Sequence, residues 1–442
     1  MSNITLTDSQ WKAVKQIVDW YKNESHVKQV ARIFGFAGSG KSTVLRYVFD
    51  ELGLEPHRRE DDCGNDCVPG VVTATFTGKA ALVLRRKGTP AQTIHSLIYS
   101  VIEATDQEIN KLHKEIAEDE HNARGVIDTF DRITAESCIE IKRQELSRIK
   151  KPRFALNPQS DAAHCELIVL DEVSMVGPDM AKDLLSFNKP ILVLGDPGQL
   201  PPIQGAGAFT QQQPDVMLTE IHRQAEESAI IRLATMARNG EFIPFGQHDA
   251  HVAKMRKSDV SPAQMLRGGQ LICGKNATRF NLNNDMRYAA GFRNGVIPSG
   301  PDEKIICLKN QNDMGLINGM FLTIEEVIDD GDLYFSALVK NDLGDYVGVP
   351  NEKFEPSPLR IYKGHFLDHI KYDQGRHDQD WRAKRGLTEA TFGWAITCHK
   401  AQGSQWENVL VWDDGLGRTE EDRRCWLYTA LTRAEKGLVL LS

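Results

Sequence analysis

The chain has 442 residues, 26% charged and 41% hydrophobic, the balance of an ordinary folded protein. With 53 Lys+Arg against 61 Asp+Glu it carries a formal net charge of −8, which taken alone argues against a nucleic-acid binder. No apolar run approaches the roughly 20 residues that span a bilayer, and residues 1–8 lack a basic flank followed by an apolar stretch. The expectation is therefore a chain that is neither membrane-bound nor secreted. Its eight cysteines are scattered rather than framed, which fits reduced thiols in a cytoplasmic compartment.

Short, nearly continuous apolar runs recur, each closed by Gly, Asp, Glu or Thr. In chain order they are Val30–Phe36, Val71–Phe76, Leu167–Leu170, Ile191–Leu194, Leu271–Cys273, Lys304–Leu308, Asn408–Trp412 and Gly437–Leu441. Runs of this length, apolar on both faces, predict strands of a covered parallel sheet. Helix-patterned stretches lie between them, including Ser42–Leu52, Gly78–Arg86 and Ser228–Arg238. The alternation predicts an α/β fold with doubly wound sheets. Two segments break the pattern. Residues 101–153 are charged and helix-like, acidic at first (Glu115, Glu118, Asp119, Glu120) and basic at the end (Lys142, Arg143, Arg148, Lys150, Lys151, Arg153). Residues of about 315–385 hold short alternating pieces between Asp-Asp-Gly and Leu-Gly-Asp turns, the signals of a small β module. Each reads as an insertion into a host lobe.

Gly35-Phe36-Ala37-Gly38-Ser39-Gly40-Lys41-Ser42, with Thr43 following, fits G-x-x-x-x-G-K-[ST] directly after an apolar strand and at the start of a helix. The glycines let backbone N–H groups converge on a triphosphate, and the helix N-terminus adds positive potential. Lys41 is the expected bridge between β- and γ-phosphates, and Ser42 a ligand of Mg²⁺. Leu167–Leu170 delivers Asp171 and Glu172 to the sheet edge, Asp171 to hold Mg²⁺ through water and Glu172 to polarise the attacking water. That pairing points to hydrolysis. A third strand leads into Gly195-Asp196-Pro197-Gly198-Gln199-Leu200-Pro201-Pro202, where the Gln199 amide is placed to sense the γ-phosphate. Leu218-Thr219-Glu220-Ile221-His222-Arg223-Gln224, Thr397-Cys398-His399-Lys400-Ala401-Gln402-Gly403-Ser404 and Tyr428-Thr429-Ala430-Leu431-Thr432-Arg433-Ala434 follow in order.

This ordered set resembles the RecD-like group of superfamily 1 helicases, which includes the phage Dda helicase, over both α/β lobes and most of the chain outside the two insertions. The resemblance implies two tandem RecA-like P-loop NTPase lobes, the first formed by residues 1–100 and 161–225, the second by 226–314 and 386–442. It implies a helical or pin insertion over 101–160 and a small SH3-like β insertion over 315–385. The implied activity is an ATP-dependent DNA helicase that translocates 5′ to 3′ on single-stranded DNA, with ATP and Mg²⁺ as cofactors. Gln10 corresponds to the glutamine that reads the adenine edge. Arg223 and Arg433 correspond to the two arginines that reach the γ-phosphate as the lobes close, and Gly403 goes with the nucleotide contacts. Thr77, Lys79, Thr93 and His95 in the first lobe, and Thr397, His399 and Lys400 in the second, are the implied contacts to DNA phosphates. Such hydroxyls and single cations suit sequence-independent tracking.

Two positions depart from the family pattern. Thr75-Phe76-Thr77 stands where relatives often carry Ala-Pro-Thr, which makes Phe76 a base platform or a core residue, with core favoured. Gln405 stands where relatives often carry Glu. Cys63 and Cys67, with His57 nearby, have half the spacing of a zinc site, but acidic and turn-forming neighbours favour an exposed loop. Phe154, inside a basic stretch ending at Pro158, is expected either at the DNA fork or in the module's core. Because the phosphate loop begins at Gly35, a long N-terminal docking region is not expected, which favours a stand-alone accessory helicase of a phage or bacterium, active as a monomer. Its partners would be single-stranded and forked DNA, with replication or recombination proteins as further candidates. Two other classes use the same residues: a DNA-stimulated translocase that displaces proteins, and an ATP-switched DNA-binding assembly module.

Overall fold

The computed structural model describes residues 6–56, 70–86, 88–102, 106–123, 129–149, 153–201, 207–220, 228–292, 295, 297–311, 314–342, 344–348, 356–366, 384 and 386–442. The chain opens with α1 (Asp8–Asp19), whose first turn is closed by a capping box between Thr7 and Gln10, and whose Ala13, Val14 and Ile17 face inward. It continues through β1 (Val30–Gly35), α2 (Lys41–Leu52), β2 (Val71–Thr75), α3 (Gly78–Arg86), β3 (Gln92–Thr93) and α4 (Ile94–Ile98). Next come β4 (Tyr99–Ile102), α5 (Asp106–Ala123), α6 (Thr129–Ile149) and β5 (Arg153–Leu156). Then follow α7 (Asp161–His164), β6 (Leu167–Asp171), α8 (Pro178–Leu185), β7 (Ile191–Gly195) and β8 (Val216–Leu218).

The first-lobe sheet runs β3-β2-β6-β7-β1-β8, every neighbouring pair parallel. Leu167–Leu170 and Ile191–Leu194 are fully buried, as strands covered on both faces require. Truncating one of these leucines to alanine costs about 2–5 kcal/mol. β6, β7 and β1 are consecutive, so the loops after them emerge side by side at one sheet edge.

The second lobe contributes α9 (Ala229–Asn239), β9 (Gly246–Gln247), β10 (Val252–Met255), α10 (Pro262–Met265), β11 (Gln270–Cys273) and α11 (Asn276–Ala289). Then come β12 (Lys304–Cys307), β13 (Phe321–Asp330), β14 (Tyr334–Asn341), β15 (Leu359–Tyr362) and β16 (Ala390–Phe392). The chain closes with β17 (Ala395–Thr397), α12 (Cys398–Ala401), β18 (Trp406–Trp412), α13 (Glu420–Leu431) and β19 (Ala434–Leu441). The second sheet is ordered β17-β11-β18-β19-β10-β9 and is parallel except at β9.

The β module is an antiparallel sheet ordered β15-β14-β13-β12-β16. Phe335, Ala337 and Val339 point inward from alternate positions of β14. Its sheet reaches back to Lys304 and forward to Phe392, beyond the expected 315–385. The run Lys304–Leu308, expected in a parallel sheet, lies instead between β13 and β16 in this antiparallel one. A strand buried on both faces reads as the same apolar run in either setting, so periodicity does not separate the two. The entry to the module is fixed by a buried ion pair between Arg287 on α11 and Glu303, whose second oxygen accepts from the Ser299 N–H at 2.7 Å.

Residues 99–157, with 367–387, form a separate compact unit. Its described part holds the antiparallel β4–β5 pair and the α5–α6 pair, with Ile116, Ile139 and Leu146 buried between the helices. The acidic residues of α5 meet the basic residues of α6: Lys142 lies 2.7 Å from Asp119, and Arg143 2.8 Å from Glu120. Among the described residues no helix is long and apolar enough to cross a membrane.

Candidate nucleotide site and strand track

The loop after β1 takes left-handed backbone at Gly38 (φ 80°) and Gly40 (φ 83°), conformations that cost glycine nothing and let the chain wrap before α2 starts at Lys41. Lys41 Nζ donates to the carbonyls of Gly35 at 2.7 Å and Phe36 at 3.3 Å, so its charge lies against the loop it belongs to. Ser42 sits exposed in the first helical turn, and the Thr43 N–H donates to the Gly40 carbonyl at 3.0 Å. The Ser39 hydroxyl is buried with no hydrogen-bond partner. Gln10 is 3% exposed, unlike the solvated helix residue that its position alone suggests. Its Nε2 donates to the Ser39 carbonyl at 3.1 Å, while its Oε1 accepts from the Thr7 N–H at 3.1 Å. The cap of α1 is thereby tied to the phosphate loop.

β6 ends in Asp171, whose Oδ1 accepts from the Glu172 N–H at 2.8 Å. Glu172 itself adopts left-handed backbone, φ 55° and ψ 47°. From the adjacent β7 comes Asp196, 4% exposed, accepting from the Gly198 N–H at 2.9 Å. Burial holds the Asp196 carboxyl above its ordinary range, against the opposing pull of Lys41 and of its own hydrogen bonds. Gln199 is buried beside it, with Oε1 lacking a hydrogen-bond partner.

The second lobe closes on these loops through α13 and the segment before β18. Tyr428 Oη donates to Asp196 Oδ2 at 2.6 Å and accepts from the Ala37 N–H at 2.9 Å. Thr429 Oγ1 accepts from the Leu200 N–H at 2.9 Å, and Gln402 Nε2 donates to the Leu200 carbonyl at 3.0 Å. Arg433 is 4% exposed and donates to Thr429 O at 3.0 Å, Thr432 Oγ1 at 3.1 Å and Ser404 O at 3.4 Å. Arg238, at the end of α9, lies with its guanidinium carbon 3.6 Å from the Phe36 ring centroid. Arg223 falls in 221–227, outside the described residues, as do His57, Cys63 and Cys67. Among the described residues no group of three or more His, Cys, Asp or Glu side chains gathers as a metal site.

The strand-track candidates gather around the starts of short helices and the β module. Thr77 Oγ1 accepts from the Ala80 N–H at 3.2 Å and Thr93 Oγ1 from the Ser96 N–H at 3.1 Å, so both cap their helices. A methyl group on Gly403 would lie 2.6 Å from Thr77 Oγ1, which sets the Gly403 segment of the second lobe against α3 of the first. Lys79 Nζ lies 4.4 Å from the ring centroid of Phe321 and 4.7 Å from that of Trp406. Lys400 Nζ donates to Asn318 Oδ1 at 3.0 Å, in the turn that leads into β13. Thr397 is buried at the end of β17. His95 and His399 are both lowered from the ordinary histidine value by burial. Phe76 is half-buried and stands edge-on to His95, ring centroids 6.0 Å apart, rather than in the core.

Asp196 and Tyr428 stand within the Gly195–Pro202 and Tyr428–Ala434 motifs, and Arg238 at the end of a helix-patterned stretch, without a role that sequence alone assigns them. Asp196 closes β7 as Asp171 closes β6, so the same strand-end rule would have flagged it. Tyr428 and Arg238 carry no local signal; only the fold brings them onto the phosphate loop.

A family model described as an AAA domain matches residues 5–253, and one described as a UvrD-like helicase C-terminal domain matches residues 392–441. The chain is 26% identical over 292 residues to the ATP-dependent RecD2 DNA helicase of Deinococcus radiodurans, covering 62% of this chain and 36% of that protein. It is 26% identical over 342 residues to the RecBCD enzyme subunit RecD of Mycolicibacterium smegmatis, covering 70% of this chain and 56% of that one. The chain thus spans 36% and 56% of the length of these curated relatives. Its fold is similar to the crystal structure of Bacteroides Pif1 bound to ssDNA, with a TM-score of 0.51 and 17% identity over 100% of this chain and 93% of that one.

Proposed function

Since the chain belongs to the RecD/Pif1 group of superfamily 1 helicases, with its AAA domain over residues 5–253, we propose that it is an ATP-dependent motor that moves 5′ to 3′ on single-stranded DNA and unwinds duplexes. The observation that carries this reading is the convergence at one sheet edge of Lys41, Asp171, Glu172 and Gln199, with Tyr428 and Thr429 of the second lobe bonded onto the same loops. A nucleotide site built this way hydrolyses in step with the opening and closing of a cleft.

The residues fit the nucleotide and its metal. Gly35, Gly38, Ser39 and Gly40 shape a loop whose backbone N–H groups would take the phosphates, and Lys41 would leave its loop carbonyls for the β- and γ-oxygens. Ser42 and Asp171 offer the hard oxygen ligands that Mg²⁺ prefers, and the ion would neutralise charge developing on the transferred phosphoryl group. Glu172 would orient the attacking water, Gln199 would sense the γ-phosphate, and Gln10 would read the adenine edge. Arg433 and Arg223 would stabilise the charge that develops, a contribution of about 10³–10⁵-fold where such arginines operate. Thr77, Lys79, Thr93 and His95 would hold the strand on one lobe, and Thr397, His399 and Lys400 on the other. Alternation between these two grips would move the chain along single-stranded DNA and into a fork, as a monomer. Replication or recombination proteins are the partners such a motor would meet.

Forked DNA carrying either a 5′ or a 3′ tail tests the proposal. Unwinding should start only from the 5′ tail and should require ATP, and Lys41→Ala should abolish both hydrolysis and unwinding. Strand-coupled hydrolysis without unwinding from either tail would instead assign a translocase. Hydrolysis indifferent to single-stranded DNA would remove both motor readings.

A further inference from the structure

We propose that Tyr428 is a positioning residue for nucleotide hydrolysis: its hydroxyl ties the third residue of the phosphate loop, Ala37, to the Asp196 carboxylate, and so fixes that loop only when the second lobe is seated. The inference rests on the motor reading above but concerns a residue to which that reading gives no task.

A phenol has one proton to donate and a limited capacity to accept. Tyr428 commits its proton to Asp196 Oδ2 at 2.6 Å and accepts the Ala37 N–H at 2.9 Å. Bonding to a carboxylate makes the phenol oxygen a better acceptor for that N–H. Tyr428 is 2% exposed and Asp196 is 4% exposed, so water does not replace either partner. The ring is as tightly placed as the hydroxyl. A methyl group on Gly198 would stand 2.9 Å from it, and only a residue without a side chain lets the loop after β7 close over the ring. The next residue, Thr429, takes the Leu200 N–H at 2.9 Å, so two consecutive side chains of α13 hold both ends of the segment that contains Gln199. Arg238 adds a second hold on the phosphate loop, stacking on Phe36, the residue before Ala37, with its Nη1 buried and unpartnered.

Ala37 belongs to the turn whose N–H groups must converge on a triphosphate, so whichever group accepts its N–H sets how that peptide plane is turned. Here the acceptor comes from the other lobe. Lobe movement and phosphate-loop geometry therefore share one hydroxyl, and the Asp196–Gln199 segment moves with it.

Steady-state hydrolysis by the full chain, with and without an oligo(dT) strand, decides the matter for the parent, Tyr428→Phe, Asp196→Ala and the double variant. Tyr428→Phe keeps the ring and removes the two hydrogen bonds. It should lower kcat about tenfold while leaving the KM for ATP within about threefold, because Lys41 and the loop backbone still bind nucleotide. In the Asp196→Ala background the same change should cost less than about twofold, since the hydroxyl has lost the group it acts through. Parent-like kcat in Tyr428→Phe overturns the proposal. So does a multiplicative effect in the double variant, and so does an equal loss of kcat and ATP affinity, which is what general damage to the fold produces. If parent hydrolysis ignores oligo(dT), the motor reading is the one that fails. The cycle on the DNA-free rate then still decides Tyr428.

Discussion

Lys79 rests between two aromatic rings, Phe321 from the β module and Trp406 from the second lobe, and Lys304 Nζ lies 4.4 Å from the centroid of the same Phe321 ring. Burial draws its ammonium down to about 8, with Asp342 pulling it up and Lys304 and Arg86 pushing it further down. The ordinary lysine value is about 10.4, so between about pH 8 and 10.4 the unfolded chain holds a proton here that the folded chain has released. Stability from this group therefore rises with pH across that window. Lys79→Met removes the titration. Its urea midpoint should exceed that of the parent by a margin that shrinks between about pH 7 and pH 10. A margin that stays flat would mean the cation is not buried at a cost. The same neighbours give Lys79 a structural task besides its proposed phosphate contact: it joins the first lobe to the β module and the second lobe.

Among the elements, the β4–β5 pair offers an aromatic edge. Phe154 is 56% exposed and leans on Tyr99 with ring centroids 6.1 Å apart, so it is not the core residue that one of its two sequence readings allowed. Phe154→Ala should leave the melting temperature nearly unchanged, since exposed substitutions stay within about 0.5 kcal/mol. If the hairpin meets the fork, the same variant should unwind fewer base pairs per ATP, measured on a tailed duplex. Equal coupling in both proteins would remove the fork contact. This hairpin was not legible in the sequence because its two strands are four residues each and some fifty residues apart. The α5–α6 pair was legible as charged helical sequence, although pairing of its acidic and basic residues with each other was not. The nucleotide loop and Asp171-Glu172 could be read directly, because phosphate chemistry demands contiguous residues on one strand-to-helix turn. The Tyr428–Asp196 bond joins positions 232 residues apart, and no local pattern encodes it.

For the whole molecule, the net charge of −8 bears on how the proposed DNA binding would respond to salt. The proposed track contains two lysines, Lys79 and Lys400, while burial keeps His95 and His399 below their ordinary value and so neutral near pH 7. Lys400 is bonded to Asn318 and Lys79 to its two rings, so few phosphates are neutralised. Oligo(dT) affinity plotted as log K against log salt should then fall with a slope of about −0.7 to −1.4, one or two phosphates' worth. A slope steeper than about −4 would mean that a basic surface outside this track dominates binding. A shallow salt dependence of this kind would suit the proposed motor, which releases its strand every cycle.

The left-handed backbone at Glu172 sets folding and chemistry against each other. A non-glycine residue held there carries strain of about 1–2 kcal/mol. Glycine would relieve it at once and would delete the carboxylate next to Asp171 in the same step. Relief of this strain would thus remove the residue proposed to orient the attacking water, so a thermostable descendant that keeps the proposed activity must gain its stability elsewhere in the fold.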